Sequence, residues 1–154
     1  MCHNINIAIG SDHAGVNLKE ILIEHLRDKG INVKDFGTNS LDSVDYPDYA
    51  VSVSSSVISK ECDFGILICG TGIGISIAAN KIKGIRAALC HDNYTARMSR
   101  LHNNANIIAM GANVIGKEVA KDMVDIWLTT EFDGGRHERR INKIDNINML
   151  EVEE

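Results

Sequence analysis

The distribution of apolar and polar positions divides the chain into two kinds of segment. Short apolar runs bounded by glycine or polar residues are typical of strands, and longer stretches with apolar residues three or four positions apart are typical of helices. The pattern predicts five strands, at residues 5–9, 31–36, 64–68, 85–89 and 106–110. It predicts helices at residues 16–29, 46–60, 73 to about 83, about 94 to 101, 116–129 and 141 to about 150.

The order of these segments indicates the fold class. Strands and helices alternate along the chain, which favours a parallel sheet with helices on both faces. We therefore predict an α/β fold, a three-layer α/β/α sandwich with a Rossmann-like five-stranded parallel sheet. Residues 64–68 are almost entirely apolar, which is typical of a strand buried on both faces, whereas residues 31–36 alternate apolar and polar positions and belong near the sheet edge.

The last predicted helix carries a narrow apolar stripe, at Ile141, Ile144, Ile147 and Leu150. Residues three apart share one helix face, so this stripe packs either on the home core or on a second subunit. We expect residues 1–154 to form one domain, with the helix at about 141–150 at a subunit interface.

Composition narrows the classes of function. The 154 residues are 44% hydrophobic and 24% charged, with a net charge of −5. Nucleic acids and anionic membranes select basic surfaces, so neither is expected as a partner. No segment approaches the roughly 18 apolar residues of a membrane span, and the first residues lack the basic region of a secretory signal. The four cysteines show no paired or zinc-like spacing, so we expect reduced thiols in a cytoplasmic protein.

The segment after the third predicted strand, residues 69–74 with the sequence CGTGIG, combines a thiol with three glycines. Glycines let the backbone turn tightly and bring N–H groups close to a ligand, and the N-terminus of the following helix favours an anion. The spacing differs from the dinucleotide fingerprint G-x-G-x-x-G, and no lysine follows as in a P-loop. The segment therefore predicts an anion cradle with a reactive group at its edge.

The thiol of Cys69 has two interpretations. A helix N-terminus stabilises a thiolate, so Cys69 can act as a base or a nucleophile. Unpaired cysteines are also commonly buried as small apolar residues, which is the interpretation we prefer for Cys2, Cys62 and Cys90. The adjoining glycine loop favours the reactive interpretation for Cys69.

Further polar residues follow other predicted strands. Asp12 and His13 come after the first strand, and His91 and Asp92 come after the fourth. Because parallel strands end at one edge of the sheet, we expect these loops and residues 69–74 to converge there.

Several basic residues have both a functional and a plain interpretation. His13 and His102, each taken alone, are typical of surface histidines. Arg136 and Arg140 lie four apart and could clamp a phosphate from one helix face, although a solvated charged stretch would look similar. The remaining histidines are expected to be ordinary surface residues: His3, His25, His91 and His137.

Six short motifs occur in order between about residue 5 and residue 141. They are GSDHAG at 10–15, DYP at 45–47, ICGTGIG at 68–74, AANK at 78–81, HN at 102–103 and GGRH at 134–137 followed by Arg140. Together they resemble the type B ribose-5-phosphate isomerases, a family that also contains allose-6-phosphate and galactose-6-phosphate isomerases.

This resemblance implies an aldose–ketose isomerase that needs no metal and no cofactor. Cys69 would be the base that moves a proton between C1 and C2, His102 would assist ring opening as proton donor, and Thr71 would shuttle protons among the substrate oxygens. The residues implied in substrate binding are Asp12, His13, Gly70, Thr71, Gly72, Ile73, Gly74, Asn103, Asn113, Arg136 and Arg140.

Two positions relate the chain to branches of this family. Some members lack the cysteine and carry a Glu base at the position of Ile75, so Cys69 with Ile75 indicates the thiol-base branch. Many members carry an Arg that contacts phosphate at the position of Asn113, which can supply only a neutral hydrogen bond. Family members build each site from two subunits, which implies a homodimer or homotetramer here.

The leading hypothesis is a cytoplasmic isomerase that interconverts D-ribose 5-phosphate and D-ribulose 5-phosphate in the non-oxidative pentose phosphate pathway. A six-carbon isomerase, acting on allose 6-phosphate, is one alternative, because pocket depth sets substrate length. A non-catalytic sugar-phosphate binding module is another, although Cys69, Thr71 and His102 together argue against it. A nucleotide-binding domain of flavodoxin type would rest on fold analogy alone.

Overall fold

A computed structural model describes residues 4–147 of the chain. Within these residues, five strands form one sheet: β1 (Asn6–Ser11), β2 (Asn32–Asp35), β3 (Phe64–Cys69), β4 (Ala87–Leu89) and β5 (Ile107–Gly111). Their order across the sheet is β2-β1-β3-β5-β4, and every pairing is parallel. The predicted parallel α/β fold is confirmed, with β3 at the centre of the sheet and β2 at one edge.

Six helices of the described residues connect these strands and cover both faces of the sheet. They are α1 (Val16–Asp28), α2 (Tyr46–Ile58), α3 (Ile73–Asn80), α4 (Asn93–Leu101), α5 (Lys117–Thr129) and α6 (Arg136–Asp145). One core cluster joins the sheet to α1, α4 and α5, and a second joins it to α2 and α3. These two clusters are the interfaces of the predicted three-layer sandwich.

Strand β3 contributes to both core clusters because its side chains alternate between the two faces. Ile66 and Ile68 pack in the cluster with α1 and α5, whereas Leu67 and Cys69 pack in the cluster with α2 and α3. The thiol of Cys69 therefore lies on the α3 side of the sheet, at the carboxyl end of its central strand.

Trp127 on α5 is fully buried in the larger cluster. Its ring packs against Phe64 in an edge-on arrangement, with the ring centroids 5.3 Å apart. The indole Nε1 donates to Ser99 Oγ at 3.1 Å, and the guanidinium of Arg100 lies 5.7 Å from the indole ring. The polar atom of this large side chain is thus paired inside the core, as burial requires.

The last helix begins earlier than predicted. The sequence predicted a helix from residue 141, but α6 starts at Arg136, because Gly134 and Gly135 take the positive φ values of 69° and 58° and reverse the chain just before it. The basic residues are the exposed face of its first turns, while Ile141 packs inward. The predicted end near residue 150 lies outside the described residues.

The predicted apolar stripe on this helix is divided by the structure. Ile141 is buried within the subunit, whereas Ile144 and Ile147 are 50% and 73% exposed. Leu150 lies outside the described residues. A subunit contact for the exposed part of the stripe remains a prediction.

Helix α3 also ends sooner, and β4 begins later, than the predicted residues 83 and 85. The side chain of Asn80 accounts for this boundary, since its Oδ1 accepts from Ala87 N at 2.8 Å and its Nδ2 donates to Ala87 O at 2.9 Å. These two bonds pair the open edge of β4 much as a neighbouring strand would.

Of the cysteines, Cys62, Cys69 and Cys90 are buried free thiols, and burial raises the pKa of Cys90. Cys2 lies outside the described residues. Among residues 4–147, no helix is long and apolar enough to cross a membrane.

We expect Trp127→Ala to lower the free energy of unfolding by about 3–5 kcal/mol, because it leaves a large cavity and removes the hydrogen bond from the indole Nε1 to Ser99 Oγ. Val119→Ala on the same helix, where the side chain is 42% exposed, is the matched control and should change it by less than about 1 kcal/mol. Urea unfolding followed by circular dichroism measures both, since the first variant removes the chain's single Trp. Equal losses in the two variants would contradict the assignment of Trp127 to the core.

Candidate active site

The carboxyl edge of the sheet gathers most of the candidate residues, as the parallel topology predicts. We call this group the carboxyl-edge cluster. It consists of Asp12, His13, Tyr46, residues 69–74 and Asn113. Each part of the cluster is attached to the end of a strand or to the start of a helix.

The thiol of Cys69 closes the turn that follows β3. Its side chain is only 4% exposed, and its Sγ accepts a hydrogen bond from the backbone N–H of Gly72 at 3.1 Å. An N–H donor and a helix N-terminus both stabilise a negative sulfur, so this geometry suits a thiolate. Thr71 is exposed, and its Oγ1 accepts from the backbone N–H of Ile73 at 3.2 Å.

The turn requires glycine at position 72 for two independent reasons. Gly72 has a φ of 78°, in the left-handed region that other residues avoid. A Cβ there would lie 2.5 Å from Leu89 Cδ1 and 2.7 Å from the carbonyl carbon of Met110. The glycine loop is therefore packed directly against the ends of β4 and β5.

The segment after β5 completes the other side of the loop. Ala112 N donates to Cys69 O at 2.9 Å, and Asn113 N donates to Gly70 O at 3.0 Å. The side-chain Nδ2 of Asn113 lies 3.2 Å from the position that a Cβ of Gly70 would occupy. Asn113 is thus held beside the cradle, at the place where the family resemblance implies a phosphate contact.

Asp12 and His13 approach from the end of β1. Asp12 is buried, its Oδ1 accepts from Ala14 N at 3.0 Å, and its backbone N–H donates to Ile68 O at 3.2 Å. His13 Nδ1 accepts from the backbone N–H of Val44 at 3.2 Å. This bond fixes His13 to the loop that leads into α2.

Tyr46 is a residue of this cluster that sequence reasoning did not select as a site residue. A Cβ on Gly74 would lie 2.5 Å from Tyr46 Cζ, so the tyrosine ring lies directly over that glycine. An open cavity of about 510 Å³ is lined by this ring together with Asp12, residues 69–71, Ile73, Gly74 and Ile77. The DYP motif at the start of α2 was the available signal, but it served only as one of the six motifs that carry the family resemblance and gave Tyr46 no role.

His91 and Asp92 follow β4, and Asp92 has a structural role. Asp92 Oδ1 accepts from Thr95 N at 2.7 Å and caps α4. Bonds from Thr95 lower the pKa of Asp92, so its carboxylate stays charged. In the described part of the chain, no three His, Cys, Asp or Glu side chains come together as metal ligands.

The remaining candidates lie at the opposite, amino edge of the sheet. Helix α4 runs back from the carboxyl edge to the amino edge, and His102 and Asn103 follow its last residue. We call the group His102, Asn103, Arg136, His137 and Arg140 the amino-edge cluster. The predicted convergence at the carboxyl edge covered only residues that follow strands, and these five residues lie outside it.

The amino-edge cluster is organised by two stacked imidazoles. The rings of His102 and His137 lie 4.0 Å apart and are tilted by 8°. His137 is only 6% exposed, so the expectation of an ordinary surface histidine is wrong. Burial and the neighbouring His102, Arg136 and Arg140 lower the pKa of His137, which keeps its ring neutral in the stack. Arg136 and Arg140 are exposed beside it.

The chain is similar to known proteins over nearly its whole length. The model of the ribose/galactose isomerase family matches residues 7–144. Ribose-5-phosphate isomerase B of Escherichia coli is 50% identical over 141 residues, which cover 92% of this chain and 95% of that protein.

Two solved structures are also similar to this chain in fold and in sequence. Clostridium thermocellum ribose-5-phosphate isomerase B is 57% identical, with a TM-score of 0.91, 92% of this chain covered and 95% of that one. The Mycoplasma genitalium enzyme with bound ribulose-5-phosphate is 46% identical, with a TM-score of 0.88 and coverages of 92% and 94%.

We expect Gly72→Ala to lower the free energy of unfolding by about 3 kcal/mol or more, because it combines a left-handed φ with contacts against fixed backbone. Gly116→Ala is the control, since Gly116 has a φ of −78° and open space around its Cα. That change should cost less than about 1 kcal/mol. Urea unfolding followed by Trp127 fluorescence measures both, and equal stability of the two variants would contradict the close packing at Gly72.

Proposed function

The chain belongs to the ribose/galactose isomerase family, and from this premise we propose that it interconverts D-ribose 5-phosphate and D-ribulose 5-phosphate through a cis-enediolate. This is an isomerisation of the non-oxidative pentose phosphate pathway, which we place in the cytoplasm. The observation that carries the proposal is the Cys69 thiol, held by the Gly72 N–H at the lip of a cavity lined by the glycine loop.

Cys69 is the proposed base. Its thiolate removes the proton from C2 of the open-chain aldose, the electron pair of the C–H bond forms the C1–C2 double bond, and the carbonyl oxygen becomes an enediolate oxygen. The same proton, returned to C1, allows the C2 carbonyl to form. Thr71, exposed beside the thiol, moves the hydroxyl proton between O1 and O2.

The enediolate needs donors that are already oriented when its charge develops. The first N–H groups of a helix have no acceptor within it, and Gly74, in the first turn of α3, lines the cavity. Asp12 and His13 bind the sugar hydroxyls from the end of β1 in this proposal. The residues assigned to substrate binding from the loop are Gly70, Thr71, Gly72, Ile73 and Gly74.

The amino-edge cluster acts in this proposal as part of a partner subunit's site. His102 lies at the sheet edge opposite to Cys69 of its own subunit, so a second copy must supply the acid for ring opening. Asn103, Arg136 and Arg140 accompany it and bind the phosphate. The half-exposed Ile73 and Ile77, at 52% and 57%, lie beside the cavity and offer apolar surface to such a partner. We propose a homodimer as the minimal active form.

In this arrangement, Arg136 and Arg140 pair with the charge of the phosphate. Asn113 lies beside the glycine loop but carries no charge, so it contributes a neutral hydrogen bond. Both arginines are four residues apart on α6, which places them on one helix face.

We expect the purified protein to form ribulose 5-phosphate from ribose 5-phosphate with EDTA present and no added cofactor. Cys69→Ala should lower kcat by about 10³-fold or more and leave the affinity for ribulose 5-phosphate within about threefold, because it removes the base but not the cradle. Cys62→Ala, a buried thiol away from the cavity, is the matched control and should retain kcat. An unchanged kcat in Cys69→Ala would remove Cys69 from the mechanism.

The same assay with allose 6-phosphate tests the substrate. We expect a larger kcat/KM for ribose 5-phosphate, and a clear preference for the six-carbon sugar would reassign the chain to that specificity. Binding of both sugars without turnover would instead indicate a binding module.

Mixing two inactive variants tests the composite site. Cys69→Ala and His102→Gln should each be inactive, yet subunit exchange between them should restore about one quarter of the parent activity, since half of the dimers are mixed and each contains one intact site. Mixing Cys69→Ala with Thr71→Val, both on the same edge, is the control and should restore nothing. Failure of the first mixture to regain activity would place His102 and Cys69 in the same subunit's site.

A further inference from the structure

Arg86 joins the two segments that carry the amino-edge cluster. It lies directly before β4, at the amino edge of the sheet. On one side of its side chain is the loop with His102 and Asn103, and on the other is the end of α6. Neither the sequence motifs nor the proposed mechanism gives this guanidinium a role.

The guanidinium donates in both directions. Its Nε donates to the carbonyls of Asn103 and Asn104 at 3.1 and 3.2 Å, and its Nη2 donates to Asn104 O at 3.2 Å. Its Nη1 lies 3.3 and 3.2 Å from the two carboxylate oxygens of Asp145. A planar fork with five donors can hold a loop and a helix together in this way, whereas a point charge cannot.

The backbone of Arg86 gives this fork a fixed origin. Its N–H donates to Asn106 Oδ1 at 2.8 Å, and its carbonyl accepts from Asn106 N at 3.0 Å. Asn106 in turn leads directly into β5, so the guanidinium is anchored to the sheet.

The loop that Arg86 holds contains one residue in the left-handed region. Asn104 has a φ of 45°, in the left-handed region, and a second arginine, Arg100, donates to its Oδ1 at 3.0 Å and to Ala105 O at 2.7 Å. Asn adopts this region more readily than most residues, and the arginine contacts hold Asn104 in it. Two arginines therefore fix the backbone that follows the His102 imidazole.

Helix α6 is attached to this loop at both of its ends. The His102–His137 stack holds its first turn, and the Arg86–Asp145 pair holds its last residue. Ile141 is buried between these two ends, so the Arg86–Asp145 pair fixes the tilt of the helix about this packed middle and with it the position of Arg140 relative to His102.

We propose that Arg86 is a positioning residue that sets the distance between the His102 imidazole and the Arg136–Arg140 pair. The proposal rests on the proposed function, in which these groups act on one substrate. In this proposal Arg86 does not bind the substrate itself but acts through the loop carbonyls on His102 and through Asp145 on α6.

The two halves of the fork can be tested separately. Asp145→Asn weakens only the contact to α6, so KM should rise about threefold while kcat stays within about twofold. Arg86→Lys keeps a cation near Asp145 but loses the fork to the loop carbonyls, so kcat should fall about tenfold with a smaller change in KM. Arg86→Gln removes both contacts and should change both constants. Arg27→Gln, at an exposed arginine of α1, is the matched control and should change neither.

Steady-state kinetics with ribose 5-phosphate and thermal unfolding of the same samples decide the outcome. Opposite kinetic profiles in Asp145→Asn and Arg86→Lys support the proposal, since general destabilisation cannot produce them. Constants within twofold of the parent in Arg86→Gln, or a single profile shared by all three variants in proportion to their melting temperatures, overturn it.

A titration with inorganic phosphate separates this proposal from the proposed function. The arginine Nε–H signals of the parent report phosphate binding by NMR, and the dissociation constant should rise about threefold in both Asp145→Asn and Arg86→Gln. A parent protein without isomerase activity would refute the proposed function, yet weaker phosphate binding in these variants would still support the positioning role. Unchanged phosphate binding in both variants would overturn it.

Discussion

The backbone of Gly72, held between Leu89 and the end of β5, is the constraint on which the carboxyl-edge cluster depends. Because Gly72 has no side chain, the turn after β3 can lie directly on Gly111. The N–H of Gly72 then donates to Cys69 Sγ. The same turn starts α3, so the donor to the thiol and the helix dipole come from one backbone path. A thiol, a hydroxyl and free N–H groups therefore share one small volume without any long side chain to order.

The direction of the strands determines the rest of the arrangement. Every helix that follows a parallel strand returns from the carboxyl edge to the amino edge, and α4 carries His102 away from the thiol in this way. No rotamer change of His102 can bring its imidazole back to Cys69 across the length of a strand. In the proposed dimer each subunit therefore contributes two half-sites, one at each edge of its sheet, and assembly brings the opposite edges of two subunits together.

The sequence predicted the sheet, the layers and the carboxyl-edge cluster because those follow from local patterns: apolar strands, glycine turns and the parallel rule. It could not separate His102 from Cys69, since chain direction was applied to residues after strands but not to residues after helices. It missed the burial of His137 and the position of Tyr46 for a different reason. Both depend on contacts between residues far apart in sequence, His102 with His137 and Tyr46 with Gly74, which no periodicity records.

The division into half-sites also separates two electrostatic requirements. The thiol at the carboxyl edge contacts a neutral backbone N–H, whereas Arg136 and Arg140 at the amino edge carry full charges. In a chain of net charge −5, a phosphate is attracted where cations are grouped, and in the proposed dimer Arg136 and Arg140 on α6 form that group. In the proposed dimer, the substrate connects the two half-sites. Its phosphate pairs with α6 of one subunit, and its C1–C2 unit lies at the thiol of the other. Phosphate binding and proton transfer are then carried out by residues of different subunits.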